Sequence, residues 1–129
     1  MRTQSLLNVL VLGVALGLAP AASAAMDLVK DGKPNAAVVV SAQADGLVKQ
    51  AAADFVYHAK LITGAELPVV TDAADPGQAN RVYIGDSRFT RELGMETDKL
   101  PREGFRILAK DNVLAIVGRD KPIIYYHKD

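Results

Sequence analysis

Apolar positions divide the chain into short runs and one long periodic segment, and the spacing within each predicts an element. Ala36-Ala37-Val38-Val39-Val40 is apolar without alternation, as in a strand covered on both faces. Ser41 and Asp45 then offer N-cap oxygens for a helix from about residue 45 to Thr63. Within it Leu47, Ala51, Phe55, Ala59 and Ile62 form an apolar stripe widened by Val48 and Ala52, with Lys49, Gln50, Asp54, Tyr57 and Lys60 on the other side. Gly64 supplies the left-handed stop. Leu67-Pro68-Val69-Val70 reads as a second strand, placed at an edge or a strand start because Pro68 cannot donate to a ladder.

Thr71 to Asn80 holds Asp72, Asp75, Pro76, Gly77 and Asn80 and reads as a loop. Arg81-Val82-Tyr83-Ile84-Gly85 alternates like a half-buried strand. Asp86 or Ser87 can cap a short helix stopped by Gly94, with Phe89 and Leu93 on one face. Gly104 to Lys110 and Val113 to Gly118 flank Asp111-Asn112 and predict a hairpin. Before the first strand, Asp27 to Pro34 is a polar lead-in with a turn at Asp31-Gly32.

The N-terminus departs from this pattern. Arg2, an uncharged apolar run from Leu6 to Leu18, and Ala22-Ser23-Ala24 make the three parts of a secretory signal peptide over residues 1–24, with cleavage expected after Ala24. The apolar core is shorter than the roughly 20 residues a spanning helix needs. The expectation is an exported chain, periplasmic or secreted, with no membrane attachment after cleavage. Cysteine is absent, so stability in an oxidising compartment rests on the core.

Charge adds exclusions. The 15 Lys and Arg balance 15 Asp and Glu, and no basic stripe with interleaved aromatics appears, which excludes nucleic acid as a partner class. Glycosidase chemistry needs two carboxylates facing a scissile bond. Asp27, Asp31, Asp45, Asp72, Asp75, Asp86, Asp111 and Asp120 instead lie beside turns, strand ends or helix starts, where Asp bonds locally. His58 in the long helix and His127 near the C-terminus have no zinc-ligand spacing. Ser87 lacks a G-x-S-x-G elbow, so helix capping is its expected role rather than a triad with His58. Gly85-Asp86-Ser87 joins a strand to a helix N-terminus, but neither G-x-G-x-x-G nor a P-loop is present. Arg88 and Arg91 read as solvated helix charges. No catalytic, cofactor-binding or metal-ligating residue is assigned.

Three pieces together carry a resemblance: Thr63-Gly64-Ala65-Glu66-Leu67-Pro68-Val69 closing the long helix, Tyr83-Ile84-Gly85-Asp86-Ser87, and the hairpin from Glu103-Gly104-Phe105-Arg106-Ile107 to Ile116-Val117-Gly118-Arg119-Asp120. Over roughly residues 30–120 the chain resembles the non-catalytic N-terminal domain that precedes the catalytic barrel in bacterial exported glycoside hydrolases, alpha-glucuronidases and beta-N-acetylhexosaminidases among them. The resemblance implies an α+β fold, a two-layer α/β sandwich whose mixed sheet of about five strands carries one long and one short helix on one face. It implies residues 25–129 as an accessory domain, the catalytic barrel of a parent enzyme as partner, and carbohydrate as the parent's substrate. It carries over no catalytic position. Relatives continue after the Val117-Gly118-Arg119-Asp120 strand end into a further helix that this chain lacks, so the domain is expected to be incomplete at its C-terminus. If that helix covers four apolar side chains, about 6–12 kcal/mol of burial goes unrealised. The alternative is a freestanding saccharide- or protein-binding module using Ile123-Ile124-Tyr125-Tyr126.

Overall fold

The computed structural model describes residues 25–119. The leader over 1–24, its cleavage after Ala24, Asp120, the Ile123 to Tyr126 cluster and His127 lie outside the described residues.

A two-stranded ribbon opens the described chain, β1 (Val29–Lys30) pairing antiparallel with β2 (Lys33–Pro34) around Asp31-Gly32. The sequence pattern predicts the turn but not the ribbon, whose strands are two residues each and show no periodicity. Asn35 and Asn80 both donate their side-chain amides to the Asp27 carbonyl, at 2.9 and 3.1 Å, and tie the lead-in to the main sheet.

That sheet has five strands in the order β4-β3-β5-β7-β6. β3 (Ala36–Val40) is an interior strand next to the edge, parallel to β4 (Val69–Thr71) on one side and to the central strand β5 (Asn80–Ile84) on the other. β7 (Val113–Gly118) runs parallel to β5, and β6 (Phe105–Lys110) closes the edge antiparallel to β7 through the predicted turn, where Asp111 takes φ 52°. Every residue of β3 is buried, as an unalternating apolar run requires. β4 starts just after Pro68, whose carbonyl accepts from the Val38 N–H at 2.9 Å, and it forms the far edge.

α1 (Gly46–Thr63) is capped as expected: the Asp45 carboxylate accepts from the Val48 N–H at 2.9 Å, and Gly64 at φ 75° donates its N–H to the Lys60 carbonyl. Its buried face differs from the predicted stripe. Val48, Ala52, Phe55, Val56 and Ala59 face the sheet, whereas Leu47 is 48 % and Ile62 84 % exposed. Positions four apart advance about 40° beyond a full turn, so a strict i+4 row winds off a straight contact line. The apolar residues beside it then decide the orientation, and Val48 finds room over Gly85.

The two faces of the sheet have separate covers. Val38, Val40, Val82 and Ile84 pack with Leu67 under α1, while Val39, Tyr83, Ala115 and Val117 on the opposite face pack with Met95, Phe89 and Leu100. The architecture is the expected α+β one, a mixed five-stranded sheet with one long and one short helix. One detail of the expectation differs: the helices do not share a face. α2 (Arg88–Glu92) belongs with the side opposite α1, because strand alternation points Tyr83 away from α1 and its ring stacks on Phe89 with centroids 5.3 Å apart, and Leu100, just after the 3-10 turn at Thr97–Lys99, packs there too. Coverage on both sides also buries Val82, Tyr83 and Ile84 together, where alternation predicts a half-buried β5. Leu93 stays exposed rather than sharing the packing of Phe89. Arg106 donates to the Gly94 carbonyl at 3.1 Å and Arg119 to the carbonyls of Asp98 and Leu100 at 3.1 and 2.7 Å, pinning this second cover to the hairpin.

Candidate functional site

β3, β4, β5 and β7 are parallel, so their C-terminal ends share one rim of the sheet. The chain leaves β3 toward β4 and returns to β5 on the other side of β3, which makes the β3/β5 boundary a topological switch point, the place where open α/β sheets receive ligands. Four segments meet at that rim: Ser41 to Asp45 before α1, Asp72 after β4, Gly85 to Ser87 after β5, and Arg119 after β7.

The polar groups there bond to one another and to the backbone. Asp72 accepts the Ala42 N–H on Oδ1 at 2.9 Å and the Arg88 N–H on Oδ2 at 3.0 Å, holding three loops with one carboxylate. Partial burial, the largest single influence, pushes its carboxyl up. The two backbone N–H groups and the Arg88 charge together outweigh that and hold it below the ordinary carboxylate value. Asp86 takes a bidentate pair from Arg91, at 3.0 and 2.6 Å, and that hydrogen bonding raises the guanidinium pKa further. Ser87 and Thr90 are buried and form a reciprocal capping box: Ser87 Oγ accepts the Thr90 N–H at 3.3 Å, and Thr90 Oγ1 accepts the Ser87 N–H at 2.9 Å.

Beside this rim, α1 and the end of the β6–β7 hairpin enclose a cleft of about 420 Å³. Leu47, Val48, Ala51, Ile84, Phe105 and Ile116 give it an apolar wall, and Asp45, Asp86 and Arg119 stand at its margin. Such a cleft suits apolar side chains flanked by charge. It offers no free acid and base facing each other across a bond: Asp86 is held by Arg91, and Asp45 caps α1.

The residues weighed from sequence fall apart in space or into structural roles. Ser87 caps α2 from a buried position, while His58 sits exposed on α1 with its ring edge-on to Tyr57. Arg88 lays its guanidinium over Phe89, 4.4 Å from the ring centre, and gives its backbone N–H to Asp72. Asp75 accepts from the Gly77 N–H and pairs with Arg81, and Asp31 and Asp111 hold positive-φ turn positions. Among the described residues no group of three His, Cys, Asp or Glu is arranged to hold a metal ion, and no helix is long and apolar enough to cross a membrane. Sequence reasoning missed the cleft and the Asp72 tie. The cleft had a signal in Phe105 and Ile107, alternating with Arg106 on β6; the tie had none, because a loop Asp is equally at home bonding its own turn.

The chain matches no protein-family model, no curated protein and no solved structure.

Proposed function

We propose that the chain is a non-catalytic accessory domain of an exported carbohydrate-active enzyme, packing against the barrel that carries the acid and base carboxylates. One observation above all supports this reading: at the strand ends, where an α/β chain would keep its chemistry, Asp72, Asp86, Ser87 and Thr90 are spent on internal bonds. Exposed Leu61, Ile62 and Phe105 favour a module that packs against a neighbour. The motifs ending α1, leading into α2 and forming the hairpin supply the link to glycoside hydrolases.

The test is to read the coding DNA beyond Asp129 and to size the native protein by immunoblot, with hydrolysis of aryl glycosides assayed on the 129-residue chain. The expected result is a band several times larger than 13.7 kDa, a frame continuing into a barrel, and no turnover by the short chain. A small native product that hydrolyses glycosides by itself overturns the proposal. A second reading, a freestanding binding module, draws on the apolar cleft with Phe105 at its edge; a stable small product that binds saccharide without turnover would favour it.

A further inference from the structure

The two edges of the main sheet are built differently. β4 is three residues long and follows Pro68, so it offers little to another strand. β6 runs for six residues without proline, and its pairing with β7 is unbroken from Phe105 to Lys110, so no bulge twists it away. The two-residue turn at Asp111-Asn112 makes Lys110 and Val113 a hydrogen-bonded pair, and such pairs alternate along an antiparallel ladder. The Arg119 N–H on the Gly104 carbonyl, at 2.8 Å, continues the same alternation. Arg106, Leu108 and Lys110 therefore turn their backbone groups toward β7. Phe105, Ile107 and Ala109 turn theirs outward, where no other described strand pairs with them.

We infer that this edge is an interface with a second copy of the chain, β6 pairing antiparallel with the partner's β6 about a two-fold axis that passes through the sheet at Ile107. The inference goes beyond the accessory-domain reading and stands without it. An axis normal to the sheet keeps every side chain on its own face and makes the contact self-complementary. Ile107 then faces the partner's Ile107, and Phe105 faces the partner's Ala109, so all three outward residues exchange both of their backbone bonds. That match of the edge with itself is what points to a copy rather than to an unrelated strand.

Charge selects the register. An axis one residue earlier sets Arg106 against the partner's Arg106, and an axis one residue later sets Arg106 against the partner's Lys110. Like charges directly opposite each other are destabilising. With the axis at Ile107, Arg106 instead meets the partner's Leu108 and Lys110 meets the partner's Gly104. Arg106 is also drawn back to its own molecule, where it donates to the Gly94 carbonyl at 3.1 Å.

The side chains favour the same contact. Ile107 is in register with Ile116, and Ile116 with Ile84, so Ile107 and Phe105 lie on the sheet face that carries α1. α1 lies over β3 and β5, which leaves this flank open, and Phe105 and Ile107 are 73 % and 57 % exposed. An apolar edge strand of this length is a template for another strand. Pairing joins two five-stranded sheets into one, with the apolar pairs at its centre.

Sedimentation equilibrium of the full chain over a concentration series tests this. A reversible species of twice 13.7 kDa is the expected result. Ala109→Pro deletes an outward N–H while sparing the ladder to β7, and it should weaken the dimer by about tenfold to a hundredfold with the circular dichroism unchanged. Ile107→Lys should act in the same direction by setting two like charges on the axis. Because the chain has no cysteine, Ile107→Cys gives a single thiol, and mild oxidation should join two copies through it, since residues facing each other across antiparallel strands lie within disulfide reach. Arg106→Cys and, on the far edge, Val69→Cys should stay unlinked. A monomer at every concentration overturns the inference, as does a dimer that survives Ala109→Pro or one that cross-links through Val69→Cys as readily as through Ile107→Cys. If Ala109→Pro does not fold, the comparison of the three cysteine variants decides alone. The accessory-domain reading turns on the coding frame beyond Asp129, so either can fail without the other.

Discussion

A Cβ placed on Gly85 would lie 2.7 Å from Cγ1 of Val48 and 2.9 Å from its Cγ2, so the first turn of α1 rests directly on the backbone that ends β5. Gly85 also has φ 79°, where an L side chain is strained. Gly85→Ala should cost about 2–4 kcal/mol, roughly 1–2 from the left-handed backbone and the rest from overpacking. Chemical denaturation read by circular dichroism measures it. Val48→Ala in the same chain should recover the overpacking part and leave the backbone part, because the two residues share one contact.

The Asp72 carboxylate links the loops after β3 and β5 through the N–H groups of Ala42 and Arg88. Asp72→Asn keeps the shape but offers one acceptor oxygen where two are used, and a loss of about 1–3 kcal/mol is expected at pH 7.

The same residue has a pH signature. A carboxyl held below its unfolded value, about 3.9 for Asp, stabilises the fold above that pH and loses the contribution as pH falls through the lower, folded value. Wild-type stability should therefore fall below about pH 4 more steeply than that of Asp72→Asn, and the two curves should converge in stronger acid. Glu66 and Glu96 are lowered by Lys60 and Lys99 in the same direction, but those pairs face solvent. Added salt should flatten their part of the acid limb and spare that of Asp72. Melting temperatures across pH 2–7 at low and high salt would show this.

Ser87→Ala removes the cap of α2 and strands the Thr90 N–H at a buried position. The expected loss is about 1–2 kcal/mol. Faster amide exchange should be confined to residues 87–95, including Met95, whose N–H bonds to the Thr90 carbonyl. A cooperative loss across the whole sheet instead would mean that α2 is integral to the global fold.

Leu67 is the largest of the fully buried side chains and lies against Val38, Val40 and Ala52, just before the edge strand. Leu67→Ala should cost about 2–5 kcal/mol, a large share of the stability of a domain this size. Thermal unfolding of the two chains side by side would test it.

Secondary structure was legible wherever local chemistry decides it. Asp45 and Gly64 bracket α1, Ser87 starts α2, Asp111-Asn112 turns the hairpin, and the apolar run at β3 announces a strand covered on both sides. What could not be read depends on neighbours distant in sequence. Val48 faces inward because Gly85 leaves room for it, and Tyr83 is buried because Phe89 covers the face away from α1. The cleft belongs to this second kind, since Leu47 and Phe105 are brought together only by the sheet. The capping role of Ser87 is legible in the sequence, but its pairing with Thr90 closes only once α2 exists.

The strand order also bears on how the chain assembles as it is made. Val38 and Val82 are neighbours in the sheet, yet all of α1 and β4 must be synthesised between them. Until β5 emerges, Ala36 to Val40 is a Pro-free, uncharged, Val-rich stretch with an open hydrogen-bonding edge, the type of sequence that pairs with another nascent chain. A strand wholly buried in the finished sheet is thus an adhesive segment on the ribosome. Substitutions that slow or weaken β5 should lower the yield of soluble protein by more than their effect on the folded state accounts for.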